Sequence, residues 1–123
     1  SLDPEAKIIW AHAGLGERAS AVYSLMAEFP SLVADTSLRE YEILGSGDRL
    51  DQEWEKIVLT FQDRLMAGSD TWVNGQWDNY DAIIASNRRW LAKLPRTAAE
   101  KLAYKNAERL FDRKISMKLI GTR

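Results

Sequence analysis

Residues 7–14 read KIIWAHAG, a short apolar run that ends at His12 and is followed by glycines at positions 14 and 16. Isoleucine and tryptophan favour strands, and glycine marks the point where such a run ends. The next apolar side chains recur at positions 19, 22, 23, 26 and 29, which is the spacing of one helical face, and Pro30 follows. The segment therefore predicts a buried strand ending at His12 and a helix over residues 19–29.

The same alternation continues through the middle of the chain. Residues 31–37 have strand character and lead into a polar, glycine-containing stretch over 39–48, which we interpret as a loop. Apolar residues at positions 50, 54, 57, 58 and 61 then repeat the helical spacing. We predict a second helix over 51–61, with Asp48 or Asp51 as its cap because either carboxylate could accept the unpaired N–H groups of the first turn.

The last third of the chain adds one more strand and two helices. Residues 64–70 predict a short strand that delivers Asp70 into an aromatic loop, and apolar spacing over 80–94 predicts a third helix. Thr97 and Glu100 have the spacing of a capping box, which predicts the start of a fourth helix. The resulting order is β-α-β-α-β-α-α, and strands that alternate with helices indicate a parallel sheet in a single domain.

Polar residues follow each of the predicted strands. Because parallel strands end at the same edge of a sheet, His12, the segment 35–37 and Asp70 are expected to share one rim. Three strands with helices on one side would leave the other face of the sheet bare. A closed eight-stranded (β/α) barrel takes about 250 residues, so two architectures stay open: a small doubly wound sheet, or the trailing part of a larger barrel.

Composition excludes several classes of function. The chain has 17 Lys and Arg against 18 Asp and Glu, a formal net charge of -1, so no field favours nucleic acid or a membrane surface as partner. It has no cysteine for a disulfide or a thiolate nucleophile, and no apolar run near the roughly 20 residues of a membrane helix. The start, SLDPE, lacks the pattern of an export signal. We expect a soluble protein of the cytoplasm or periplasm.

Three motifs, in order, carry a family resemblance: KIIWAHAG at 7–14, DRLMAGSD at 63–70 and NAERLF at 106–111. They resemble the late-strand His-x-Gly, the terminal-strand Gly-Ser-Asp and the closing Asn-Ala-x-Arg-Leu-Phe of the amidohydrolase superfamily, in its amidohydrolase-2 branch. Residues 31–37 resemble the strand between the first two. The resemblance covers nearly the whole chain and implies the C-terminal half of a TIM-like (β/α)8 barrel, with about three βα units, a final helix and the helices packed outside.

The resemblance also implies a metal site. In the family a divalent metal, usually zinc, is held at the barrel mouth by a His-x-His pair, often a further His, and the Asp at the end of the last strand. That Asp corresponds to Asp70, which would bind the metal and accept a proton from the attacking water. His12 would orient or polarise the carbonyl or carboxylate of the substrate. The chain has one histidine, and catalytic zinc needs about three protein ligands, so this polypeptide is expected to hold only part of a site.

Three further residues are candidates for binding the substrate. Trp72 and Trp77 follow Asp70 and could line a pocket at the barrel mouth, or could pack the loop against the last helices. Arg39 could hold a substrate carboxylate through two parallel hydrogen bonds, although an arginine in a loop is usually just solvated.

Other polar and aromatic residues are expected to be structural. Asp35 and Ser37 are read as turn-forming residues on the rim, and Asn106 and Arg109 as groups that bond the final helix to the loops. Trp10, Trp54 and Trp90 fit the apolar spacing of the core.

Two functions of different classes follow. The chain is either the C-terminal half of a metal-dependent enzyme, or a non-catalytic α/β module that dimerises through its uncovered sheet face. The enzyme would hydrolyse a C–N, lactone or ester bond, or decarboxylate, in a small carboxylate, lactone or amide. It would be active only when an N-terminal barrel half supplies the missing ligands. An upstream His-x-His strand in the parent gene distinguishes the two.

Overall fold

Three short parallel strands form the main sheet of the computed structural model, which describes residues 6–112 of the chain. The strands are β1 (Ile8–Trp10), β2 (Leu32–Asp35), β3 (Leu44–Gly45), β4 (Arg49–Leu50) and β5 (Leu65–Met66). The main sheet has the order β1-β2-β5, and its register sets Trp10 beside Ala34 and Ala34 beside Leu65. The predicted parallel sheet is therefore confirmed.

Helices separate the strands as the apolar spacing predicts. They are α1 (Ala19–Glu28), α2 (Glu40–Ile43), α3 (Gln52–Thr60), α4 (Asn74–Asp78), α5 (Tyr80–Leu91), α6 (Arg96–Glu100) and α7 (Asn106–Leu110). A 3-10 turn lies at Ala11–Ala13 and a π-helical segment at Lys101–Lys105. Within residues 6–112, none of these helices has the length and apolar character needed to cross a bilayer.

Asp51 is the cap of α3. Its Oδ1 accepts the backbone N–H groups of Glu53 and Trp54, both at 3.0 Å. Asp48, the other candidate, lies between β3 and β4, where its carboxylate pairs with Lys93 and Arg89 of the following helical region. Hydrogen bonds from Lys93 and Arg89 lower the pKa of Asp48. Asp51 therefore stabilises the start of its own helix, whereas Asp48 makes a tertiary contact with residues far along the chain.

The segment 39–48 is more ordered than the predicted loop. It contains α2 and the first half of an antiparallel pair in which Leu44 lies opposite Leu50. Ile43 is fully buried, and α2 packs against α3 and α5. Glu40 is buried as well, at 4% exposure. One helical turn is too short to show a period in sequence, so the loop prediction was wrong here.

The third strand and the fourth helix also begin or end away from their predicted positions. Strand β5 spans only Leu65–Met66, because the next N–H group, that of Ala67, donates to the carbonyl of Leu102 at 2.9 Å. The aromatic loop after it contains α4. The capping box was wrong: α6 starts at Arg96 with Pro95 as its cap residue, so Thr97 lies inside the helix. Glu100 pairs instead with Arg96 and Lys105.

The final helical run is bonded to β5. The carbonyl of Leu102 lies in the π-helical segment, where it accepts the N–H group of Ala67. Asn106 Nδ2 donates to the carbonyls of Gln62 (2.6 Å) and Leu65 (2.7 Å), and Arg109 donates to the carbonyl of Asp63. The expectation that Asn106 and Arg109 tie the last helix to the loops is confirmed.

One hydrophobic core lies against the sheet. Ala34 and Leu65 are fully buried in it, as is Trp90, and Trp54 is 2% exposed. Trp10 is half-buried and packs against the same core. The three tryptophans are thus core residues, as predicted. In the described part of the chain β1 is an edge strand, and its apolar residues Ile8 and Ile9 are 57% and 39% exposed. The prediction of a buried strand ending at His12 was therefore wrong, because the strand ends at Trp10 and no further strand covers its edge within residues 6–112.

Candidate active site

The carboxyl ends of the three parallel strands bring together the polar residues predicted to share a rim. His12 lies in the turn that follows β1, Asp35 is the last residue of β2, and Asp70 comes four residues after β5. His12 Nε2 lies 3.9 Å from Asp70 Oδ1, and His12 Nδ1 lies 3.7 Å from Asp35 Oδ1. All three side chains are about one-quarter exposed. They remain open to solvent, and to a bound molecule, at one end of the sheet.

Asp35 organises one side of this cluster. Its Oδ2 accepts the backbone N–H of His12 at 3.1 Å, and its Oδ1 accepts the backbone N–H of Ser37 at 3.0 Å. The Ser37 hydroxyl donates to the same Oδ1 and lies 2.9 Å from His12 Nδ1. The bond from the Ser37 N–H confirms the expected turn. The contacts with His12 were missed, although an Asp-x-Ser at the end of the strand beside the histidine is a signal that could have found them.

The backbone around His12 is left-handed for three residues in succession. His12, Ala13 and Gly14 have φ of 58°, 43° and 66°. This conformation costs an ordinary residue about 1–2 kcal/mol, so neighbouring groups must hold it in place. At Gly14 the space is also closed, because a Cβ there would lie 2.1 Å from Cζ2 of the Trp10 ring.

Gly14→Ala is expected to lower the free energy of unfolding by about 2–4 kcal/mol, since it adds a clash with Trp10 to the backbone strain. Gly16→Ala is the matched control: Gly16 also has positive φ, at 94°, but a Cβ there meets no atom within 4 Å. Its cost should be the strain alone, about 1–2 kcal/mol. Urea unfolding measures both. Equal effects of the two substitutions would show that the tryptophan contact does not matter.

Arg39 does not have the position expected of a substrate-binding residue. Its guanidinium is 1% exposed, and its nitrogens donate to backbone carbonyls of the turn after β1: those of His12 (3.0 Å), Ala13 (3.1 Å), Gly14 (2.7 Å) and Glu17 (2.9 Å). The remaining nitrogen donates to both carboxylate oxygens of Glu42 at 2.7 Å. Its donors are therefore used within the protein, and the structure corrects the expectation. Arg39 stabilises the turn that contains His12 and has no pair of free N–H groups left to bind a substrate carboxylate.

The loop that carries Asp70 is tied to α5. Asn87, which is 5% exposed, donates from Nδ2 to the carbonyl of Gly68 at 2.9 Å. Its Oδ1 accepts the indole N–H of the buried Trp90 at 2.9 Å. This pair of bonds fixes the amide orientation of Asn87 and places the Gly68 backbone two residues before Asp70. Asp70 itself has φ of 50°, again in the left-handed region.

Trp72 and Trp77 lie on the solvent side of the same loop. Their side chains are 75% and 57% exposed, and the Trp77 ring lies 5.5 Å from the ring of Tyr80. Gln76 Oε1 accepts the N–H groups of Trp72 and Val73, which stabilises the start of α4. A cavity of about 360 Å³ lies beside this region, lined by residues that include Gly68, Ser69 and Tyr80. The two tryptophans are thus on the surface, two and seven residues after Asp70.

The donor atoms on the rim suit a zinc ion in type but not in number. Imidazole nitrogen and carboxylate oxygen are both zinc ligands, and catalytic zinc has about three of them from the protein. Within residues 6–112 no group of three or more His, Cys, Asp or Glu side chains is arranged to hold a metal. A metal at this rim would therefore need ligands beyond those that the described residues bring together.

Comparison with known proteins agrees with the motifs on this rim. The family model described as Amidohydrolase (Amidohydro_2) matches residues 4–113, which is most of the chain. No curated protein and no solved structure matches it. The match includes the strand that ends near His12, the strand that leads to Asp70 and the final helical run. The chain therefore belongs to the amidohydrolase family.

Proposed function

We propose that this chain supplies the C-terminal part of the active site of a metal-dependent enzyme that hydrolyses a C–N, lactone or ester bond in a small carboxylate, lactone or amide. The observation that carries the proposal is the approach of His12 Nε2 to within 3.9 Å of Asp70 Oδ1 on one rim. The family match adds that such enzymes are generally metal-dependent hydrolases. The related non-oxidative decarboxylation uses the same kinds of groups.

Asp70 and His12 have separate roles in this proposal. When bound, the metal would polarise a carbonyl and lower the pKa of water to near 7. Asp70 contributes one carboxylate ligand and accepts the proton released by the attacking water. His12 binds and orients the carbonyl or carboxylate of the substrate from the other side of the rim. Trp72 and Trp77 provide apolar surface beside it, which favours a substrate with an unsaturated or aromatic portion.

The missing part of the site is proposed to come from an N-terminal barrel half. The exposed apolar residues Ile8 and Ile9 on the edge strand β1 support this, because an edge strand presents unpaired N–H and C=O groups to another strand. The alternative is a non-catalytic module that dimerises through its uncovered sheet face, and exposed apolar side chains on β1 would support that as well. Metal content and activity distinguish the two.

The test is to purify the natural gene product that contains this sequence, and to measure its intact mass, its zinc content and its hydrolysis of lactones, amides and esters. We expect about one zinc per polypeptide, with activity lost on chelation and restored by zinc. The 123-residue chain alone is the control and should hold no stoichiometric zinc, because its described residues bring too few ligands together. A product of 14.0 kDa that binds no zinc, hydrolyses nothing and forms a dimer would overturn the proposal in favour of the module.

A further inference from the structure

Three side chains connect in series behind the candidate active site: Asp35, Ser37 and His12. The Ser37 hydroxyl touches Asp35 Oδ1 on one side and lies 2.9 Å from His12 Nδ1 on the other. Both contacts are short enough to be hydrogen bonds. A serine hydroxyl has one proton, so it donates in only one of the two contacts and accepts in the other.

The direction of the series follows from the surroundings of Asp35. An ionised carboxylate only accepts hydrogen bonds. Both of its oxygens already accept fixed backbone donors, the N–H of His12 at Oδ2 and the N–H of Ser37 at Oδ1. The hydroxyl proton of Ser37 must therefore point to Asp35, because the opposite arrangement would press two oxygen lone pairs together. The lone pair of Ser37 Oγ then faces His12, and Nδ1 must be the nitrogen that carries a proton.

We propose that Ser37, oriented by Asp35, is a positioning residue that holds the proton of neutral His12 on Nδ1 and so leaves Nε2 as a proton acceptor facing Asp70. A neutral imidazole has one N–H group, so fixing it at Nδ1 decides the state of Nε2. The significance for catalysis rests on the proposed function. In this state Nε2 accepts a hydrogen bond and does not donate one, so neutral His12 contacts a donor such as the attacking water and not the substrate carbonyl or carboxylate proposed above.

The distance between Nε2 and Asp70 suits a donor atom that contacts both. The 3.9 Å between Nε2 and Asp70 Oδ1 is too long for a direct hydrogen bond. A single donor atom about 2.8 Å from each would contact both. Two acceptors that converge in this way suit a molecule with two protons to donate, such as the attacking water.

The backbone holds the series in place. Asp35 ends β2, which pairs with β1 through Trp10 and Ala34, two residues before His12. Arg39 fixes the carbonyl of His12 at 3.0 Å. On the far side, the backbone of Gly68 passes so close to Ser37 that a Cβ there would lie 3.2 Å from the Ser37 Cβ. Ser37 is 3% exposed, so water does not compete for its hydroxyl.

The experiment is a long-range ¹H–¹⁵N NMR spectrum of the imidazole, which reports which ring nitrogen is protonated. The 123-residue chain has one histidine, so the imidazole signals need no residue assignment, and the couplings to the two carbon-bound ring protons distinguish Nδ1 from Nε2. In the neutral imidazole, Nδ1 should resonate in the pyrrole-like range and Nε2 in the pyridine-like range. Ser37→Ala should reduce the ratio of the Nδ1–H to the Nε2–H tautomer about tenfold. Ser37→Thr, which keeps the hydroxyl, should restore the wild-type ratio.

Ser24→Ala is the matched control, because the Ser24 hydroxyl bonds only within α1, to the carbonyl of Ser20, and its loss should leave the imidazole signals unchanged. Protonated Nε2 in the wild type, or an unchanged ratio in folded Ser37→Ala, would overturn the inference. If Ser37→Ala does not fold, the wild type and Ser37→Thr still decide it. The spectrum needs neither metal nor substrate. A wrong tautomer in a zinc-dependent hydrolase would therefore reject this inference alone, and the right tautomer in an inactive protein would reject the proposed function alone.

Discussion

Replacing Arg39 by alanine is expected to lower the free energy of unfolding by about 3–5 kcal/mol, enough to unfold a large fraction of a domain of ordinary stability. The guanidinium is 1% exposed and donates to four backbone carbonyls and one carboxylate. Removing it leaves several acceptors without donors, and each buried unsatisfied group costs about 1–3 kcal/mol. It also lies 5.3 Å from the Trp54 ring, so the substitution opens a gap in the core.

Urea unfolding of three variants tests this expectation. Arg39→Lys keeps the charge but has one nitrogen where the turn uses two and Glu42 a third, so it should recover only a small part of the loss. Arg96→Ala removes an arginine that is 92% exposed and pairs with the neighbouring Glu100, and it should stay within about 0.5 kcal/mol of the wild type. If Arg39→Ala stayed equally close, the network of carbonyl bonds would have no part in stability.

Asp70→Asn is expected to lower hydrolysis by the natural gene product by about 100-fold to 10,000-fold, the range for loss of a general base. The amide has the shape of the carboxylate but cannot take up a proton, and it is a poorer ligand for a divalent cation. The fold should persist, because Asp70 has φ of 50° and asparagine tolerates the left-handed region well. The loss should therefore appear in kcat and in zinc content, with the urea midpoint nearly unchanged.

Asp48→Asn is a closely matched control. Asp48 also has positive φ, at 56°, but it lies in the turn between β3 and β4 and pairs with Arg89 and Lys93. Its replacement should leave zinc content and kcat at their wild-type values. Retention of full activity and zinc by Asp70→Asn would remove Asp70 from the reaction. Equal losses in both variants would point to a general effect of the substitution on the fold.

The sequence predicted the elements that have enough length to show a period. Helices α1, α3 and α5 lie close to their expected positions, because several apolar side chains in each repeat at the helical spacing. Strands β1 and β2 also lie near their expected positions, where short apolar runs indicated them. The other elements of two to five residues were missed or misplaced. The turn α2 and the β3–β4 pair depend on one or two buried contacts. The predicted cap at Thr97 was wrong because Pro95 is the cap residue and the helix starts two residues earlier.

In the candidate site, too, some features were predicted from the sequence and others were not. The chain order of strands and helices was sufficient to place His12 and Asp70 on one rim, since parallel strands end on the same side. The role of Arg39 was not predictable from spacing, and the Asp-x-Ser at the end of β2 indicates a contact with the histidine without giving the direction of its hydrogen bonds. Both depend on where a side chain points after β1 and β2 pair, and on which donors the folded backbone has already used.

The sequence by itself therefore determined the class of this protein: its periodicity dictates alternating strands and helices, and its three ordered motifs belong to the amidohydrolase family. Only the tertiary structure decided that buried Arg39 donates to the backbone of the His12 turn, and that Ser37 connects Asp35 to the imidazole of His12. The physical reason is the range of the forces. Apolar burial is non-directional and repeats along the chain, whereas a hydrogen bond needs its donor and acceptor within about 3 Å and correctly aligned. Residues separated in sequence reach that geometry only after the strands have paired.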